Sequence, residues 1–217
     1  YLYSYDPDVF GKKELIGNWG FTNVTKNWNW KDADQKPVQV AVFSNGDEVE
    51  LIQNGTSVGK LTSGTRLAAD LPHSFLFDLT YLPGTLEAVS YKDGKEISRD
   101  TLVTTGPAKE LRLIQEKKEL SANGHEVAYV RVEIVDENGI VVPDAALRLN
   151  AAVEGVGSLA AFGSSNPITD ENYTSGTFTS YHGTATAIIR SGYQTGMCTL
   201  TVWCEGLDEK KIAFTIK

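Results

Sequence analysis

Long apolar runs are missing from this 217-residue chain. No stretch approaches the roughly 18–20 uncharged apolar residues of a membrane-crossing helix, so no membrane span is expected. Basic runs are missing too. The net charge is −8, and on either side of Pro107 the chain carries 10 Lys+Arg against 14 Asp+Glu. Neither part presents a cationic face for a phosphate backbone, so a nucleic-acid partner is not expected. Histidine is scarce: His73, His125 and His182 have no partner at metal-ligand spacing. There is no phosphate loop, dinucleotide fingerprint or twelve-residue calcium loop, and hence no expected metal or cofactor. The opening Tyr1-Leu2-Tyr3-Ser4-Tyr5-Asp6 lacks an initiator Met, a basic n-region and an apolar h-region, and reads as part of an excised or processed chain without a signal peptide. The sequence sets no compartment.

Cysteine is limited to Cys198 and Cys204, both in Gly196-Met-Cys-Thr-Leu-Thr-Val-Trp-Cys-Glu205. Read as one strand, that segment separates them by about 20 Å, whereas a disulfide needs Cα atoms within about 7 Å. Alternation places both on one face with Leu200 and Val202, as small buried hydrophobes, and turns Thr199, Thr201 and Trp203 the other way.

What the chain does have is apolar alternation with period two, and its 41% hydrophobic content is enough for a packed core. Val38–Ser44, Glu48–Gln53, Val58–Leu61, Ser74–Leu79, Thr85–Tyr91 and Glu96–Thr104 read as strands, separated by Asn45-Gly46-Asp47, Asn54-Gly55, Leu82-Pro-Gly84 and Lys92-Asp-Gly94. After Thr104-Thr-Gly-Pro-Ala108 a second series follows: Glu110–Gln115, Val127–Val135, Leu147–Val153, Ser158–Phe162, Thr184–Arg190, Thr199–Glu205 and Lys211–Ile216. The polar stretch from Gly163 to Gly183 reads as a loop. No three-turn amphipathic helix and no internal repeat is visible. The expectation is an all-β chain of two consecutive β-sandwich domains, residues 1–107 and 108–217, the second immunoglobulin-like.

Catalytic patterns are weak. Gly55-Thr56-Ser57-Val58-Gly59 matches a hydrolase nucleophile elbow, but it lies in a hairpin with no helix after it. Glu48 and Glu50 share a strand face and read as solvated edge charges. No carboxylate pair stands out for glycoside chemistry, so no catalytic residue is assigned. The aromatic cluster is more suggestive. Trp19, Phe21, Trp28 and Trp30 fall within twelve residues. In an extended segment Trp28 and Trp30 point the same way, and either form a stacking platform for a sugar or seal a sheet or domain interface.

Trp28-Asn-Trp30, Pro37-Val-Gln-Val-Ala-Val-Phe-Ser-Asn45, Asp47-Glu-Val-Glu-Leu51, Asn54-Gly55 with Gly59, Tyr81-Leu-Pro-Gly84, Tyr91 with Asp93-Gly-Lys95, and Thr104-Thr-Gly106 stand in the order of a known arrangement. Together they resemble the domain that follows the catalytic barrel in bacterial β-galactosidases of glycoside hydrolase family 2. Leu120-Ser-Ala-Asn-Gly124, Val130–Asp136 with Gly139, Val142-Pro-Asp144, Val153-Glu-Gly155, Tyr181-His-Gly183 and Ile188-Ile-Arg190 are similar to the family's C-terminal immunoglobulin-like domain. The first twenty residues depart from it.

The resemblance implies a bacterial parent enzyme that removes terminal sugars, β-galactosides first. Its reacting carboxylates would belong to a barrel, the partner of this chain within the same polypeptide, and a barrel alone takes about 250 residues. Three readings follow. The first is a non-catalytic accessory fragment, with Trp19, Phe21, Trp28 and Trp30 as interface or core aromatics. The second is a carbohydrate-binding module that contacts glycan through Trp28, Trp30, Tyr173 or Tyr181. The third is a surface adhesion array of immunoglobulin-like domains.

Overall fold

The alternating segments become strands in the computed structural model, which describes residues 1–14, 22–62 and 73–217. Two units form, Tyr1–Thr104 and Thr105–Lys217. Trp19 and Phe21 lie outside the described residues.

The first unit comprises β1 (Leu2–Ser4), a short 3-10 turn (Pro7–Val9), β2 (Pro37–Phe43), β3 (Glu48–Gln53), β4 (Thr56–Thr62), β5 (Ser74–Thr80), β6 (Thr85–Lys92) and β7 (Lys95–Val103). One sheet runs β1-β2-β5 and the other β4-β3-β6-β7. Among the described residues of this unit every strand pairing is antiparallel. Leu2, Val38, Val40, Val42, Phe75 and Phe77 of the first sheet bury against Val49, Leu51, Leu86, Ala88 and Leu102 of the second. Burial of apolar area at about 25 cal/mol per Å² makes this shared layer the main stabilising term.

The Asn54-Gly55 hairpin forms as the residues dictate. Both have positive φ, 50° and 78°, the combination a two-residue type I′ turn requires. Asn54 also closes the adjacent loop, accepting from the Thr85 N–H at 2.7 Å and donating to the Pro83 carbonyl at 3.0 Å. The Tyr-rich opening, which has no readable period, supplies β1. Its buried Leu2 joins the core, and the Leu2 N–H donates to Asp100 of β7 at 2.8 Å.

The second unit comprises β8 (Glu110–Gln115), β9 (Glu119–Leu120), β10 (Val127–Val135), β11 (Arg148–Gly155), β12 (Gly157–Gly163), β13 (Thr177–Thr179), β14 (Thr184–Ser191), β15 (Gly196–Cys204) and β16 (Leu207–Ile216). The sheets are β12-β14-β10-β8 and β13-β11-β15-β16-β9. Apart from the edge strands β13 and β9, this is the immunoglobulin arrangement of an ABED sheet on a CFG sheet. β9 runs parallel to β16.

Phe162, Phe178 and Phe214, each fully buried, fill the space between the sheets with Leu111, Val132 and Leu200. In β15, Cys198, Leu200, Val202 and Cys204 point inward while Met197 and Trp203 are exposed. Both thiols are free, and burial pushes both above the usual thiol range.

The stretch from Gly163 to Gly183 is not wholly a loop, as its polar composition had suggested. Thr177–Thr179 pairs with β11 through Leu149↔Phe178. One buried aromatic between two threonines is too short a period to read, yet inserting that ring into the core holds the strand.

Candidate functional site

Trp28 and Trp30 lie in the irregular segment before β2, and the structure departs from the stacking-platform expectation there. Trp28 is 1% exposed and leaves no ring face for a sugar. Its indole meets Tyr81 edge-on at 4.8 Å and donates from Nε1 to the Leu82 carbonyl at 3.2 Å. The Trp28 carbonyl in turn accepts from Tyr81 Oη at 2.9 Å and Thr104 Oγ1 at 2.8 Å. Trp30 is half-buried against the same core, with Nε1 donating to Ser4 Oγ at 3.2 Å. Beyond the Thr25 bridge to Ser4, this segment is thus tied down by aromatic burial and side-chain bonds to three strands or their ends.

Tyr173 and Tyr181 belong to the second unit. Tyr173 is 45% exposed, and its ring lies on Gly163 and tilts against Phe178 at 4.7 Å. A Cβ on Gly163 would stand 2.2 Å from that ring, so only glycine leaves it room. Tyr181 is half-buried, bridges Thr184 and tilts against the His182 ring at 4.1 Å.

Several acidic residues are engaged in structure. Glu50 accepts from Ser57 Oγ at 2.7 Å and Tyr91 Oη at 3.2 Å, with Lys60 beside it at 3.6 Å. The Ser57 hydrogen bond, outweighing partial burial, holds Glu50 below the usual carboxylate range. Ser57 itself lies within β4, in an antiparallel hairpin with β3, and not on the strand-to-helix turn that a nucleophile elbow needs. Glu133 is buried between Arg112 and Arg131, at 2.6 and 2.8 Å. Among the described residues, no group of three His, Cys, Asp or Glu is placed to hold a metal ion.

Asp136, visible in sequence only as the start of a hairpin turn, proves to be a buried structural carboxylate. It is 2% exposed and accepts from the N–H groups of Asn138 and Ile140, both at 2.9 Å, and of Gly106 at 3.0 Å. Burial pushes its pKa up, but the Ile140, Gly106 and Asn138 amides together outweigh that and hold it below the usual range.

Glu126, at the β9–β10 junction, accepts from the Ser121 N–H at 2.7 Å and from Lys117 Nζ at 3.1 Å. The Ser121 backbone bond leads in pulling its pKa down to about 2. A depressed folded pKa contributes stability above the unfolded value that is lost as pH falls through the folded one. Carboxyl-carbon NMR should therefore find Glu126 ionised through pH 4 and protonating only near 2. A midpoint at the ordinary glutamate value would mean that the Ser121 bond is absent in solution.

Comparison with known proteins follows the same division of the chain. Residues 111–213 match the family described as glycoside hydrolase family 2 C-terminal domain 5, and residues 35–98 match a domain of unknown function, DUF4982. The chain is 29% identical over 183 residues to the β-galactosidase BoGH2A of Bacteroides ovatus, covering 84% of this chain and 21% of that protein. A β-galactosidase of Thermoanaerobacter pseudethanolicus is 29% identical over 177 residues, with 76% and 22% covered. Among solved structures, a glycosyl hydrolase family 2 member from Bacteroides cellulosilyticus superposes with TM-score 0.88 at 28% identity, over 100% of this chain and 28% of that one. A β-glycosidase from Bacteroides vulgatus gives 0.78 at 26%, over 88% and 24%. The chain therefore spans less than a third of each relative, and its second sandwich matches the C-terminal domain 5 of glycoside hydrolase family 2.

Proposed function

We propose that this chain is a non-catalytic accessory part of a β-galactosidase-like glycoside hydrolase, packing on, shaping or helping to assemble a catalytic barrel in the same polypeptide. The observation that carries the reading is the partial coverage. Two β-sandwiches correspond to 21% of a β-galactosidase, and the family matched by the second is by description C-terminal. The acidic residues support it. Glycoside hydrolysis needs two carboxyls about 5–9.5 Å apart across a cleft, one with a raised pKa. Here Glu50 and Asp136 are held low by donors that use up their oxygens, the reverse of what a general acid requires.

The isolated chain is expected to fold cooperatively and to release no nitrophenol from p-nitrophenyl β-galactoside. Sustained turnover by the purified chain, lost with none of the contaminants removed by a second purification, would overturn the reading.

A further inference from the structure

We propose that the tip formed by residues 121–126 and 191–195 is a binding site for an uncharged pyranose of a glycan, stacked on Tyr193 and hydrogen-bonded by Asn123. This goes beyond the accessory reading and does not depend on whether a barrel is attached.

Tyr193 is 76% exposed, yet its ring is mounted rather than loose. It lies across Gly124, where a Cβ would stand 2.4 to 2.8 Å from three ring carbons. Gly124 also has φ of 72°, so glycine is required twice over. The His125 ring stands edge-on to Tyr193, at 6.4 Å and 83°. One face of the tyrosine is therefore sealed on backbone, and the opposite face is open. The two loops are locked together: the Gly124 N–H donates to the Gly192 carbonyl at 3.1 Å, and the Ser191 N–H to the Glu126 carbonyl at 2.9 Å.

The side-chain amide of Asn123, the residue before Gly124, is oriented. Asn123 Oδ1 accepts from the His125 N–H at 2.9 Å, the Glu126 N–H at 2.8 Å and Ser191 Oγ at 3.4 Å. With the oxygen facing the loop, the two Nδ2 donors turn away from it. A flat aromatic face, electron-rich at its centre, suits the C–H face of a pyranose, and an amide N–H pair suits its hydroxyl oxygens. Charge points the same way. Glu126 is paired with Lys117 and Glu119 with Lys217, so the carboxylates on this side are already matched by cations, which suits an uncharged ligand.

The test is an amide-resolved NMR titration of the whole chain with β-1,4-galactobiose, lactose and cellobiose. At least one should give saturable shifts centred on Gly124, His125, Tyr193 and Gln194, with a dissociation constant on the order of millimolar, as one stacked ring and two hydrogen bonds allow. Tyr193→Ala should weaken binding about tenfold or more, as loss of one aromatic stacking partner does. Asn123→Asp keeps the Oδ1 acceptor and the loop but removes both donors. It should weaken binding about fivefold, the size expected for one or two hydrogen bonds, with the melting midpoint held. Tyr173→Ala, at the second tyrosine-on-glycine mount of this unit, should leave affinity unchanged. Absence of saturable shifts with all three sugars, shifts centred on Tyr173 or another face, or full affinity in Tyr193→Ala would each overturn the proposal.

Discussion

Trp28→Ala should destabilise the first unit by about 3–5 kcal/mol, the usual range for truncating a fully buried tryptophan. The indole is 1% exposed, packs edge-on to Tyr81 and satisfies the Leu82 carbonyl. Truncation removes a large apolar surface, leaves a cavity between the irregular segment and the sheets, and strips the half-buried Leu82 carbonyl of its donor. The backbone bonds from Tyr81 and Thr104 to the Trp28 carbonyl survive, so the segment should stay attached but loosen. Trp28→Phe keeps most of the volume and loses the N–H, for about 1–2 kcal/mol. Hydrogen exchange at the Val40 and Leu51 amides, in urea, reads the stability of this unit directly. A loss under about 1 kcal/mol for the alanine variant would contradict the burial described here, because a surface substitution typically costs that little.

Asp136→Ala should destabilise the second unit by about 2–4 kcal/mol at neutral pH, since hydrogen bonds to a buried charge are worth about 1.5–3 kcal/mol each and do not add fully. Three backbone N–H groups lose their acceptor, and the turn joining β10 to the Gly139–Val142 segment loses its anchor. The pH dependence has a definite sign. The folded pKa lies below the unfolded value, so the carboxylate's contribution is complete above about pH 4, the ordinary aspartate range, and fades as acid protonates the folded state. The stability gap between native chain and Asp136→Ala should therefore narrow as pH falls below 4. Denaturant melts of both proteins at pH 7, 4 and 3 measure it, and a gap that stayed constant or widened in acid would remove the carboxylate from the explanation.

Most strands are legible in the sequence, because a half-buried strand needs period-two alternation and this chain shows it repeatedly. β2, β3, β10 and β15 alternate so plainly that the inward direction of Cys198 and Cys204 follows from spacing alone. Asn54-Gly55 and Asp93-Gly94 mark hairpins because few other pairs adopt two successive positive φ values. The short strands could not be read. β1, β9 and β13 have three residues or fewer. Over so few residues alternation carries no information, and such strands exist because a neighbouring sheet edge offers them hydrogen bonds.

The aromatic residues divide in the same way. Their clustering near residues 19–30 was evident, but whether Trp28 faces solvent or core was not. Extended-chain geometry turns Trp28 and Trp30 to one side without saying what lies on that side. Tyr193, isolated in a polar turn, carried no signal at all. Its mounting depends on Gly124, 69 positions away in sequence and adjacent only in the folded chain.

By itself, then, the sequence determined the class of fold, the turns and the inward face of each long strand, because those rest on local sterics and on the two-residue repeat of a strand. Few cysteines and no long apolar run already spoke against a disulfide framework and a membrane-crossing helix. Only the tertiary structure decided which aromatics are core and which are exposed, and which carboxylates are spent on backbone amides. Burial and hydrogen-bond saturation are properties of groups brought together from distant positions, and no local pattern encodes them.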